Sequence, residues 1–276
     1  NGNFNFLLNL LMLSSFIDEI VLIDFNQNKK EMNLMFQTVF KRYEKKYILN
    51  SEQYKCVKGL LSYNTVPDEY GESLVCNIYY DTPDSTLIRR SLEKPVYKEK
   101  FRIRTYGVPK DHSVCFAELK KKYKGIVYKR RLETDYKNAI LYMNGGENNI
   151  CDSQIKKEID YFKNFYGVLV PKVCLFYKRT AYYDREDRNL RFTFDNDITY
   201  RDCDLELKNG VYGERLLENG SYLMEVKTAG AMPAEVSRLL SELQIYPAFF
   251  SKDGMAYKSI TEEKKQQMLD ELQSCM

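Results

Sequence analysis

The chain is 276 residues long and 44% hydrophobic, and its 42 Lys and Arg against 39 Asp and Glu leave a net charge of +3. That balance excludes a general nucleic-acid coat, which shows as a strongly basic domain, and the length suits one domain with a sizeable core. Seven cysteines, odd in number and without a CxxC pair, point away from zinc and disulfide frameworks. Their usage implies a reduced, cytoplasmic setting. The single histidine, His112 in the turn-like "GVPKDHS", removes histidine metal centres and Ser-His or Cys-His catalysis.

In chain order, residues 4–24 are apolar in two runs broken by Asn9, Asp18, Glu19 and Asp24. They are too interrupted to cross a bilayer, which takes about 20 mostly apolar residues, and they lack the basic start and cleavage site of a signal peptide. Residues 1–34 are therefore expected to be an extension outside the fold, and no transmembrane segment is predicted. From Phe36 onward short alternating segments separated by Gly, Pro, Asn and Asp predict strands at 39–49, 75–81, 99–106, 113–123, 126–133, 174–184, 190–197, 203–208 and 222–228. Helices are predicted at 51–63, after the cap candidates Asn50 and Ser51, at 152–166, at 233–246 with Pro233 in the first turn, and at 261–273. The pattern predicts an α+β fold: an antiparallel β-barrel tunnel of about eight strands with peripheral helices.

Charge is distributed unevenly along these strands. Residues 98–131 hold twelve Lys and Arg against three acids, so the segment is about +9 in a chain of +3. Side chains alternate between faces along a strand. That puts Arg102 with Arg104 on one face, and likewise Glu44 with Lys46, Glu118 with Lys120, Lys129 with Arg131, Tyr177 with Arg179, Arg191 with Asp195, and Glu225 with Lys227. Facing outward, such rows are solvated strand faces. Facing inward, they line a wet tunnel, because a lining of Lys and Arg is unstable dry and must hold water or a polyanion. Repetition over six further strands, with aromatic and β-branched residues on the other face, favours the inward arrangement, and triphosphate or polyphosphate as occupant. A phosphate chain brought with Mg²⁺ or Mn²⁺ needs one or two protein oxygens. Glu225 is the first candidate, with Glu44 or Glu118 in reserve; for those two, pairing with a neighbouring lysine is the preferred reading. No P-loop or dinucleotide-binding glycine motif occurs.

Taken in order, "KRYEKKYIL", "NIYYDTPDSTLIRRSLEKPVYKEKFRIRTYG", "FAELKKKYKGIVYKRR", "YKRTAY", "RFTFD", "LMEVKTAGAMP" and "LSELQIYPAFFSKDGMAY" resemble the polyphosphate polymerase (VTC) domain, in its stand-alone bacterial form, a branch of the triphosphate tunnel metalloenzymes. The resemblance runs from about Phe36 to Lys258 and implies that residues 35–276 form a VTC-like tunnel domain. It implies ATP-dependent extension of polyphosphate with a divalent metal, Mn²⁺ or Mg²⁺. The implied catalytic cations are Arg102, Arg104, Lys120 and Arg179. The implied phosphate or nucleotide ligands are Lys46, Lys129, Arg131, Tyr177, Arg191, Ser251 and Lys252, and the implied metal ligand is Glu225. Where the wider superfamily has the first Glu of an ExExK strand, this chain has Arg42, which fits the polymerase branch better than the triphosphatase branch. The expected partners are ATP and polyphosphate, without nucleic acid, and any membrane partner would be a separate protein. Two alternatives stand beside this reading: hydrolysis of tripolyphosphate or a nucleoside triphosphate, and a non-catalytic polyphosphate-binding module.

Overall fold

The computed structural model describes residues 43–124 and 126–274; the expected N-terminal extension and Arg42 lie outside them. Among the described residues ten strands form one wholly antiparallel sheet. They are β1 (Tyr43–Leu49), β2 (Thr65–Pro67), β3 (Ser73–Asp81), β4 (Tyr97–Tyr106), β5 (Val114–Tyr123), β6 (Ile126–Asp135), β7 (Val170–Asp184), β8 (Arg191–Arg201), β9 (Glu214–Arg215) and β10 (Tyr222–Thr228). Eight of them run in the order β1-β10-β8-β7-β3-β4-β5-β6, while β2 pairs with β7 and β9 with β8. The helices are α1 (Ser51–Leu61), α2 (Thr86–Leu92), α3 (Tyr136–Met143), α4 (Gln154–Tyr166), α5 (Ala234–Glu242) and α6 (Lys252–Ser274). Among the described residues no helix is long and apolar enough to cross a membrane.

Among the described residues the sheet curls without closing through hydrogen bonds, since β1 and β6 are left as its edges. Laid flat, β1 and β5 would stand six strand spacings apart, about 29 Å. Yet Lys120 of β5 interacts electrostatically with Glu44 and Lys46 of β1 and with Glu225 of β10, a coupling that falls away over roughly 10 Å in salt. The two ends of the strand order therefore face each other across a trough.

Helices cover the convex side of that trough. Phe101, Ile103, Leu119 and Leu132 pack under α3 and α4 with Tyr136, Ile159 and Phe162. Tyr47, Phe192, Phe194, Met224 and Val226 pack under α1 and α5 with Val57, Leu61 and Leu240. On the concave side the apolar residues gather at one place, where Val75, Val173, Leu175, Tyr200 and Leu223 meet Phe250 and Ala256 at the start of α6.

Local chemistry sets the helix starts. Asn50 closes a capping box with Gln53 at α1, Ser153 caps α4 by accepting from Lys156 N–H, and Asp135 accepts from Asn138 N–H at α3. Asp81 caps α2 from outside the helix, accepting from the N–H groups of Leu87 and Ile88.

Several sequence expectations need correction. Residues 203–208 are not a strand. The Arg201 guanidinium donates to the carbonyls of Asp204, Glu206 and Gly210, gathering the chain into a compact loop ending in a 3-10 turn at Leu207–Asn209. Two helices, α2 and α3, were not predicted; both are short, and α2 depends on a cap from β3. The last helix begins at Lys252 rather than 261, and Pro233 sits at the cap of α5 rather than in its first turn.

Phe162 is 1% exposed and stacks on Phe101 with ring centroids 5.9 Å apart. Phe162→Ala is expected to cost about 3–5 kcal/mol, measured as a lower urea midpoint at unchanged slope. A loss below about 1 kcal/mol would show that α4 is not anchored by this ring.

Candidate active site

The strand register brings the predicted cations onto one face. Arg102 lies opposite Glu118, which lies opposite Arg131, and Lys120 lies opposite Lys129. Lys46 pairs with Glu225, and Arg179 with Asp195. All belong to the concave set. Their strand neighbours point the other way: Arg130 forms an ion pair with Glu158 of α4, and Lys121 with Glu99.

Two carboxylate centres organise the face. At the first, Glu118 has a side chain only 2% exposed. Its Oε2 accepts from Arg102 Nε at 2.8 Å and lies 2.7 Å from the terminal Nη2 of that guanidinium. Its Oε1 accepts from Arg131 at 2.8 Å and lies 2.9 Å from Lys129 Nζ. Arg104, 3.9 Å away, donates to Asn77 Oδ1 at 2.9 Å and to the Tyr177 hydroxyl at 3.0 Å. Arg102 also donates to the Tyr79 hydroxyl at 2.8 Å. Burial alone would raise the Glu118 pKa, but Arg102, Arg104, Lys129 and Arg131 hold it far below the carboxylate range. With its lone pairs taken by these donors, Glu118 is an anchor for cations and not a reserve metal ligand.

The second centre spans β7, β8, β10 and the start of α6. Asp195, fully buried, accepts from Arg179 at 2.6 and 2.7 Å and lies 2.5 Å from Lys252 Nζ. Glu225 is ringed by Lys227 at 3.2 Å, Lys46 at 3.4 Å, Lys252 at 3.5 Å and Arg179 at 3.6 Å. Burial would push the Glu225 pKa up, but Lys252, Lys227, Lys46 and Arg179 hold it well below the usual value. Ser251 accepts from Lys100 and donates to Asp253, which binds Lys100 at 2.6 Å. Arg191 sits toward one end of the same face, 3.0 Å from Asp68.

The face carries more positive charge than its own acids balance. Lys100 and Lys227 join the nine predicted cations, so these eleven cations share it with the carboxylates of Glu44, Asp68, Glu118, Asp195, Glu225 and Asp253. Lys120 is exposed to water, yet burial pulls its pKa down to about 8; Lys129, with a side chain 44% exposed, is pulled down to about 7. A lysine reached by water but surrounded by protein stands in a solvent-filled concavity.

Could a divalent cation be held here? Among the described residues no three His, Cys, Asp or Glu converge as a self-sufficient metal cage. A hard cation taking most of its ligands from phosphate and water needs less. Glu225 is ionised, and the hydroxyl of Thr193, its register partner on β8, is buried without a hydrogen-bond partner. That oxygen pair suits Mg²⁺ or Mn²⁺ and not a soft metal.

Sequence reasoning missed Asn77, Tyr79, Lys100 and Asp253 as members of the site, and placed Asp195 on the face without a role. The signal for Lys100 was present, since it precedes Arg102 and Arg104 at the same two-residue period. Asn77 and Tyr79 alternate in the same way on β3, while Asp253 reaches the face only because α6 docks there.

A comparison with curated protein sequences finds no match. Solved structures with a similar chain path include a candidate adenylate cyclase from Bacillus halodurans, at 14% identity and TM-score 0.48, covering 75% of this chain and 92% of that one. They also include a Hippeastrum candidate adenylyl cyclase described as having a dominant triphosphatase activity, at 17% identity and TM-score 0.44, covering 78% and 95%. A third is the Mimivirus capping enzyme triphosphatase, at 11% identity and TM-score 0.32, covering 79% and 94%. The VTC domain family matches residues 41–261, which include every strand of the curled sheet and every residue of both carboxylate centres. This chain belongs to the VTC domain family.

Proposed function

We propose that the chain is a metal-dependent polyphosphate polymerase, transferring the γ-phosphoryl group of ATP to the end of a growing polyphosphate chain. The observation that carries this reading is the excess of cations over carboxylates on an enclosed but wet face, which a linear polyanion would neutralise.

The chemistry asks little of acid–base catalysis. A terminal phosphate oxygen of the chain attacks the γ-phosphorus, the bond from that phosphorus to the β,γ-bridging oxygen breaks, and ADP leaves. The attacking oxygen is already anionic, so no general base is needed, which suits a face without histidine. Arg102, Arg104 and Arg179 would orient the transferring group and stabilise its charge with planar N–H forks. Lys46, Lys120, Lys129, Arg131, Arg191, Ser251 and Lys252 would hold the flanking phosphates, with Tyr177 setting the direction of Arg104. Glu225 would hold the divalent ion, which when bound supplies further charge neutralisation on the phosphates.

Hydrolysis needs a positioned water and usually a carboxylate to orient it. Each of the six carboxylates on the face is instead within ion-pair distance of Lys or Arg. Incubation with ATP and Mn²⁺ followed by gel analysis is expected to give long polyphosphate with ADP. Orthophosphate as the only phosphate product would replace this reading with a hydrolase, and tight binding without turnover would replace it with a binding module.

Arg102→Ala is expected to lower ADP release by on the order of 10²-fold or more while the circular dichroism spectrum stays that of the parent. Retention of most activity would remove Arg102 from the transfer step. A pH dependence follows from Lys129, whose pKa burial lowers to about 7, with Arg102 and Arg131 adding to the effect and Glu118 opposing it. Below that value the amine is charged and attracts phosphate; above it the charge is lost. Tripolyphosphate affinity is therefore expected to fall between about pH 6 and 8, and Lys129→Gln should flatten that fall in a calorimetric titration.

A further inference from the structure

The cationic face continues beyond the arginines into residues the proposed transfer step does not use. Along β4, Lys100 and Lys98 extend the row of Arg104 and Arg102 at the same two-residue period. Across β5, Lys120 lies opposite Lys100 and Lys122 opposite Lys98. From Arg104 to Lys98 the row spans about 20 Å at roughly 3.4 Å per residue, longer than a triphosphate group. Lys98 interacts electrostatically with Lys100, Lys122, Asp253 and Lys46, which places it with the start of α6 and with β1 on the concave side.

The composition of the row changes along its length. Around Glu118 and Asp195 arginine forks predominate, joined by Lys129 and Lys252, and every one of these cations is held at a carboxylate. Farther along they are lysines with fewer partners. Lys100 is held by Asp253 and Ser251, and Lys98 donates to the Ser91 carbonyl at 3.1 Å. Lys98, Lys120 and Lys122 have no carboxylate within ion-pair distance among the described residues. Like charges directly opposite each other on a sheet are destabilising, and against that the fold offers Lys98 only the neutral Ser91 carbonyl within hydrogen-bond distance. A ligand with a repeating negative charge would favour placing Lys98 against Lys122. Ammonium groups suit such a ligand because they act as point charges without a preferred fork direction. A uniform chain can then shift by one phosphate without losing registered hydrogen bonds.

We infer that Lys98 and Lys122, continuing from Lys120, form a subsite for the distal part of an inorganic polyphosphate chain, so that the chain runs from the arginine cluster toward the start of β4. The inference takes its choice of ligand from the proposed function, but its test reads binding and not turnover.

The test compares the parent chain with Lys98→Gln/Lys122→Gln and with a control, Lys55→Gln/Lys265→Gln. The control removes the same charge from exposed positions on α1 and α6. Labelled long-chain polyphosphate is displaced by unlabelled long chain or by tripolyphosphate, at fixed salt. The ladder variant is expected to lose about tenfold or more in affinity for long chain, the size of one or two charged contacts, and less than about twofold for tripolyphosphate. The control should change neither. Equal losses for both ligands, an equal loss in the control, or no loss in the ladder variant would each overturn the subsite while leaving the arginine cluster's role standing. Failure of the parent to bind either ligand would overturn both readings together.

Discussion

Glu118 sits almost wholly buried among Arg102, Arg104, Lys129 and Arg131, and the rest of the concave face depends on that arrangement. A buried carboxylate is costly unless several donors saturate it, and buried cations are costly unless a carboxylate compensates them. One carboxylate cannot neutralise four cations. It can fix their positions, because its lone pairs give each guanidinium and ammonium a defined direction. The cations are thus preorganised and only partly satisfied, which is the condition for binding an anion tightly without reorganising the site.

The same constraint explains the layering. A face of this composition cannot form a dry core, so the apolar residues between the cations must make the core on the opposite side. Phe101 and Ile103 lie between Arg102, Arg104 and their neighbours and are fully buried under α3 and α4. Phe192, Phe194 and Val226 do the same under α1 and α5. The helices keep one side of each strand dry, and the curl keeps the other side enclosed yet wet. α6 is the exception, meeting the concave side where Val75, Leu175 and Leu223 replace charge, and its first residues bring Lys252 and Asp253 onto the face.

Much of this was legible in the sequence because a strand's period of two is insensitive to where the strand ends. Arg102 with Arg104, and Lys129 with Arg131, could be assigned to one face without knowing the partner strands. Arg130 could be assigned to the other, where it meets Glu158. What was not legible is what depends on tertiary reach. The curl that brings Lys120 to Glu44 joins residues 76 positions apart in the sequence. The cap on α2 comes from Asp81, and residues 203–208 read as alternating until Arg201 folds their carbonyls around its guanidinium. Asp253 carried no strand signal at all, because a helix delivers it.

Glu118 and Glu225 show how position on one face separates two roles for one residue type. Both are acids in strongly cationic surroundings, and both are held well below the ordinary carboxylate range. Around Glu118 the nearest donors stand at 2.6–2.9 Å, within hydrogen-bond reach: two guanidinium forks, Arg102 and Arg131, whose geometry matches a carboxylate, and the Lys129 ammonium. Around Glu225 the cations stand at 3.2–3.6 Å and three of the four are lysines. Such contacts supply charge without fully occupying the oxygen lone pairs. Flexible ammonium groups can turn away toward phosphate when a hard cation arrives, whereas two arginine forks locked on Glu118 cannot do so without breaking several bonds at once. Glu225 is therefore the carboxylate whose surroundings suit the proposed metal contact, whereas the lone pairs of Glu118 are taken up in holding its arginines in place.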